Sequence, residues 1–257
     1  MPSGSRIWQV TKSEGVGGLA VRVRLKTFPA TSPRLEELLD AGVAIASHPV
    51  ECLRALAKGL GVDAPGPSEV QQWLDEWTHD VDSQALQSST AIPEEWDVAP
   101  VTSQTLYCLA RWRLPEILLE TGIARGASSL CLLRAIERNG VGELHSVDVR
   151  PDVGALVPEQ LHGNWRKHIL DPSKARQQFM TLVASLPPID IFFHDSDHSE
   201  KWMEFEFGVV RGGMNSASVL ASDDVELNHA FMRALETGQT AAMVFDPRKV
   251  SGYAVVR

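Results

Sequence analysis

The chain has 257 residues, enough for one large α/β domain with an appendage or for two small domains, either with a sizeable core. A hydrophobic fraction of 44% and a charged fraction of 22% are those of a soluble globular protein. A formal net charge of -9, with no basic run, excludes a general nucleic-acid or anionic-membrane binder, because neutralising phosphates needs clustered Lys and Arg. No apolar stretch is long enough to span a bilayer, and residues 1–30 lack a signal-peptide pattern, so a cytoplasmic location without a membrane partner is expected. Cys52, Cys108 and Cys131 are odd in number, lack CxxC spacing and sit among apolar neighbours, which is the setting of buried free thiols.

Residues 1–100 are read as a separate segment, and residues 101–257 as the main domain. Alternation of apolar and basic side chains in "AVRVRLKTF", with "EGVGG" before it, predicts a hairpin from Arg6–Lys12 and Leu19–Phe28. Helical spacing follows at Pro33–Ala41, Pro49–Leu60 and Ser68–His79, and Val81–Pro100 reads as a linker or loop. The segment is expected to serve as a lid, a substrate cover or a dimerisation element, which makes a homo-oligomer the expected assembly.

From Thr102 onward helices and strands alternate. "TSQTLYCLARW" is helical, with Thr102 or Ser103 as N-cap, and "EILLETG" is a strand ending in an acid and a glycine. "ASSLCLLRAIERNG" is a helix closed by Asn139-Gly140, and "ELHSVDV" is a second strand ending in an acid. A short strand at Trp165–Leu170, a helix at Ser173–Leu186, the strand "IDIFFH" and the helix "EKWMEFEFGVVRGG" come next. The strand "ASVLASDD", a helix at Leu227–Thr237, and two strands joined by "PRKVS" complete the chain. This order predicts a doubly wound, mostly parallel, seven-stranded sheet with an antiparallel last strand.

Ligands of such sheets bind beyond the carboxyl ends of the strands, so the residues there are the candidates. Glu120-Thr121-Gly122-Ile123-Ala124-Arg125-Gly126 gives a tight turn into the free N–H groups of a helix. Asp148 closes the next strand, where an acid can accept both hydroxyls of a ribose. The turn lacks the G-x-G start of the dinucleotide fingerprint, and neither Tyr107 nor Tyr253 belongs to a Tyr-x-x-x-Lys pair, which argues against an NAD-dependent oxidoreductase. The stretch "IDIFFHDSDHSEKW" places Asp195, Asp197 and His198 at the end of the fourth strand, and Asp223-Asp224 end the fifth. Clustered carboxylates without Cys suit Mg²⁺, or less tightly Ca²⁺ or Mn²⁺. By strand alternation His194 faces away from Asp195 and is expected to be structural.

From Thr102 to Arg257, E-x-G-x-x-x-G followed by "ELHSVDVRPD" resembles the cofactor half of the class I S-adenosylmethionine-dependent methyltransferases. The resemblance implies Glu120, Gly122 and Gly126 near the amino-acid moiety of the cofactor, Asp148 on its ribose, Asp195 at the pocket entrance, and Asp171, Pro172 or Ser173 near the adenine. "HDSDHS" and "SDD" are similar to the metal-dependent catechol-type O-methyltransferases and to the branch related to cephalosporin-biosynthesis and rhamnosyl O-methyltransferases. That similarity implies a divalent cation, Mg²⁺, on Asp195, Asp223 and Asp224. It also implies a small hydroxylated acceptor such as a specialised metabolite or a sugar, and His198, with an ordinary pKa of about 6.5, is suited to take the proton of that hydroxyl at neutral pH. Asp197 is left open between orienting His198, serving as an extra ligand and capping the next helix. The competing readings are a metal-independent N- or O-methyltransferase and a catalytically silent binding protein of the same fold.

Overall fold

A computed structural model describes residues 35–81, 92–236 and 239–256. The hairpin expected within residues 6–28 lies outside the described residues. The elements in chain order begin with helix α1 (Leu35–Asp40), strand β1 (Ala44–Ala46), and helices α2 (Pro49–Leu60), α3 (Pro67–Asp80) and α4 (Pro100–Arg113). Strand β2 (Ile117–Thr121), helix α5 (Ala127–Asn139), and strands β3 (Glu143–Asp148) and β4 (Trp165–Ile169) follow. Helix α6 (Ala175–Ser185), strand β5 (Ile189–His194), helix α7 (Glu200–Arg211) and strand β6 (Met214–Ser222) lead to helix α8 (Ala230–Ala234) and strands β7 (Ala241–Phe245) and β8 (Val250–Val255).

The strands form one sheet in the order β1-β7-β8-β6-β5-β2-β3-β4, with only β8 antiparallel to its neighbours. The sheet has eight strands rather than the expected seven. The extra strand is β1, whose Ala44, Ile45 and Ala46 pair in parallel with Ala242, Met243 and Val244. Three residues between two helices carry too little periodicity to be read as a strand, and their pairing depends on an edge supplied some 200 residues later. The described part of residues 1–100 therefore shares the sheet and the core of the main domain.

Alternation along the buried strands sends successive side chains to opposite layers. Leu118, Ile191, Phe193, Val219 and Ala221 pack with α2, α3, α4 and α5, while Leu119, Phe192, Leu220 and Met243 pack with α6, α7 and α8. Helix α2 shows the local logic. Pro49 opens it, His48 Nδ1 accepts from the Val50 N–H (3.3 Å), and Gly61 closes it in the left-handed region. Helix α4 also starts at a proline, Pro100, with Ala99 as N-cap, so Thr102 and Ser103 are not caps. Both are buried inside the first turn, where Thr102 Oγ1 donates to Ser251 Oγ (3.2 Å) and Ser103 Oγ accepts from Trp77 Nε1 (3.0 Å). Of the helix expected at Leu227–Thr237, the described residues form Ala230–Ala234. Among the described residues no helix is long and apolar enough to cross a membrane.

The chain runs from β2 outward to β3 and β4, then returns to place β5 on the other side of β2. This reversal opens a crevice at the carboxyl ends of β2, β3, β5 and β6, the place where open α/β sheets bind ligands.

Candidate active site

A cavity of about 570 Å³ fills that crevice. One end is bounded by Gly122, Ala124, Val147, Asp148, Val149, Arg150, Leu170, Pro172 and Phe179, and the other by Glu95, Trp96, Asp195, His198, Asp224 and Lys249. Such a space accommodates an elongated, nucleotide-sized molecule together with a second reactant.

The first end is made mostly by backbone. Gly122 has φ +85°, and a Cβ there would lie 1.8 Å from the carbonyl oxygen of Asp195, so only glycine lets the β2 and β5 ends approach. Asp195 N–H donates to Thr121 O (2.8 Å), and Asp223 N–H donates to His194 O (2.9 Å), which aligns three strand ends. Asp148 fastens the glycine turn: its Oδ2 accepts from Ile123 N (2.9 Å) and Ala124 N (3.3 Å), and its Oδ1 from Val149 N (2.7 Å) and Arg150 N (2.9 Å).

Several residues expected at the cofactor stand behind this wall. Glu120 is fully buried and accepts from the hydroxyls of Ser128 (2.9 Å), Ser146 (2.6 Å) and Ser129. Burial pushes its carboxyl up to about 7, even though the serine hydroxyls favour the ionised form. Gly126 caps α5 and packs against Gly154 and Val157. Asp171 accepts from Ser173 N (2.8 Å) and Ser173 Oγ (2.7 Å) in an exposed turn, so of the "LDPSK" segment it is Leu170 and Pro172 that line the cavity.

The second end is made by charged side chains. Asp195, His198 and Asp224 each offer a ligand atom within 4.8 Å of the others. His198 Nε2 lies 3.5 Å from Asp195 Oδ1 and 3.4 Å from Asp224 Oδ2. Burial disfavours the imidazolium, but Asp195, Asp224 and Asp223 outweigh it and hold the His198 pKa above its ordinary value. Asp223 is elsewhere: it is fully buried and its Oδ2 accepts from Lys249 Nζ (2.9 Å). Burial, together with the charge of Asp195, raises its pKa well above that of an ordinary carboxyl, against the pull of Lys249. The same ammonium lies 3.3 Å from Asp224 Oδ2, the oxygen that also faces His198.

Of the three carboxylates expected to hold a divalent cation, Asp195 and Asp224 converge with His198, and Asp223 turns to Lys249. A cation on the set that does converge would take His198 Nε2 as a donor and would sit beside Lys249. Lys249 is the side-chain ammonium that pairs with Asp223 and Asp224.

The remaining histidine and aspartate of the stretch also have defined places. His194 is buried, as expected, and its Nδ1 is 2.6 Å from Glu206 Oε2, which also accepts from Thr121 Oγ1 (2.7 Å). Asp197 is exposed and its Oδ1 accepts from Ser199 N (2.8 Å), a turn that leads into α7.

Four contributors are not apparent from sequence reading: Lys249, Glu206, Trp96 and Arg125. Arg125, fully buried behind the glycine turn, pairs with Glu94 (2.9 Å) and Asp97 (3.6 Å) and so holds the short 3₁₀ turn Glu94–Trp96 at the cavity mouth. Asp97 is pushed up to about 6 by burial, against Arg125, with Glu94 and Asp195 adding to the rise. An arginine inside a glycine-rich turn and a tryptophan in an acidic linker were the available signals.

Residues 119–225 match the family model described as a methyltransferase domain. No curated protein matches the chain in sequence. Among solved structures, the cofactor-bound protein Rv0187 from MTB is similar at 18% identity and a TM-score of 0.57, over 76% of this chain and 99% of that one. The O-methyltransferase TomG from Streptomyces achromogenes, which is involved in tomaymycin synthesis and was solved with S-adenosylmethionine, has 15% identity and a TM-score of 0.51, over 79% and 90%. A putative caffeoyl-CoA O-methyltransferase from Staphylococcus aureus has 12% identity and a TM-score of 0.52, over 72% and 98%. Residues 119–225 thus match a methyltransferase-domain model, and the chain has the same fold as these O-methyltransferase structures.

Proposed function

We propose that the chain methylates a hydroxyl group of a small molecule, with His198 as general base. The observation that carries this reading is one continuous cavity that joins the glycine turn to an imidazole flanked by Asp195 and Asp224. When bound, S-adenosylmethionine supplies an electrophilic methyl group. The chain fits it in that Val149, Leu170, Pro172 and Phe179 line the cavity beside Gly122 and offer apolar contact for a planar base. Asp148 can accept ribose hydroxyls by giving up its bonds from Val149 and Arg150, both exposed to solvent.

A hydroxyl attacks well only when its oxygen is held about 3 Å from the methyl carbon and its proton has somewhere to go. His198 accepts that proton, and Asp195 and Asp224, which face its Nε2, stabilise the imidazolium that results. Trp96 and Trp202 line the cavity and exclude water from the acceptor.

In the metal-assisted version implied by the resemblance, Mg²⁺ would draw on Asp195, Asp224 and His198. Coordination would then occupy the Nε2 lone pair that the base needs. The geometry therefore favours metal-independent transfer.

Calorimetry with S-adenosylhomocysteine, followed by transfer of labelled methyl to a panel of hydroxylated and amine acceptors, tests the reading. Saturable binding and O-methylation insensitive to chelator are expected. Absence of binding would reject the assignment, and transfer only to amines would move it to nitrogen.

A further inference from the structure

Lys249 stands in the turn between β7 and β8, far in sequence from the other groups at the reactive end of the cavity. Its side chain is largely buried, and Nζ lies 2.9 Å from Asp223 Oδ2 and 3.3 Å from Asp224 Oδ2. Asp223 has no other side-chain cation within ion-pair distance among the described residues, and its Oδ1 is buried without a hydrogen-bond partner. Asp223 is wholly buried, and an ammonium held against it offsets the cost of keeping it charged. The sequence resemblance places a divalent metal there, and the chain places an ammonium.

We infer that Lys249 is a tethered cation that occupies the place of a divalent metal at the Asp223-Asp224 corner and presents a fixed positive charge to the acceptor oxygen. An ammonium has three donors, of which two face Asp223 and Asp224, and Lys249 also lines the cavity, so one N–H is available to an oxygen placed near His198. Both functions of a metal at this corner, neutralising the carboxylates and steadying charge on the attacking oxygen, then come from the chain itself. The inference rests on the methyl-transfer reading only for the second of these functions. The first is a statement about what binds to the two aspartates.

Mn²⁺, titrated into the full chain and followed by its electron paramagnetic resonance signal, separates the possibilities without any acceptor. The wild-type protein should show no saturable Mn²⁺ site up to about 1 mM, the weak end of protein oxygen-ligand sites. Lys249→Met should gain one site at least tenfold tighter, and Asp224→Asn in the same chain should remove it. A wild-type site that Asp224→Asn abolishes would overturn the inference, as would a folded Lys249→Met protein that gains none. If Lys249→Met fails to fold, the wild-type titration alone decides. Calorimetry with S-adenosylhomocysteine on the same preparations reports separately on the methyl-transfer reading, so failure of one is not mistaken for failure of the other.

Discussion

The two ends of the cavity are built on different principles. At the β2–β3 end, backbone does the work: Gly122 admits the Asp195 carbonyl, and a single carboxylate, Asp148, gathers four backbone N–H groups. At the β5–β6 end, side chains from three separate segments face one another, and the role of each acid depends on which cation stands beside it. The first end is therefore fixed by backbone contacts between strand ends, and the second is a balance of charges that one substitution can tip.

The largest effect that would break this contrast lies at the charged end. His198→Asn should lower kcat about 10²- to 10⁴-fold, the usual contribution of a positioned base, while leaving S-adenosylhomocysteine affinity within a factor of a few. A parallel loss of cofactor binding would mean that the two ends are not separable. Because the pKa of His198 is raised, the active, unprotonated imidazole is lost as pH falls through a value above the ordinary 6.5, and the acid limb of kcat/KM should lie there.

At the backbone end, Gly122→Ala should destabilise the fold by roughly 3 kcal/mol, since it combines a positive φ with a direct collision, and thermal unfolding would report it. An unchanged melting temperature would show that the β2 and β5 ends are free to separate.

Glu120 sharpens the comparison from behind the wall. Its pKa, raised from 4.5 to about 7 by burial, means that the folded state holds a proton that the unfolded state has already released between those values. Stability should therefore fall as pH rises through that window, by on the order of 3 kcal/mol for a shift of this size. Glu120→Gln should flatten the dependence, as measured by denaturant titration at several pH values. A dependence that survives the substitution would move its source elsewhere.

The smallest effect is expected at the mouth. Trp96→Ala should raise KM for an aromatic or sugar-like acceptor about three- to tenfold with kcat little changed, in keeping with the loss of one stacking face. A fall in kcat alone would instead make Trp96 part of the reacting geometry.

The order of strands and helices after Thr102, the antiparallel last strand and the position of the stretch ending in His198 at a strand end were all legible, because each rests on local periodicity or on residues within a few positions of a strand end. Strand β1 was not, since three residues become a strand only against an edge formed by β7. The caps of α4 were misread because Thr102 and Ser103 have the chemistry of caps but are used inside the helix, against Ser251 and Trp77.

The sequence by itself determined the fold class and the strand ends that line the crevice, because glycine turns, strand alternation and acids at strand ends are short-range facts. Only the tertiary structure decided the partners. It sent Glu120 into a cage of serines, gave Asp148 to the backbone, and put the ammonium of Lys249 between Asp223 and Asp224. The charge that stands next to a carboxylate comes from a distant segment, and no spacing along the chain encodes that distance.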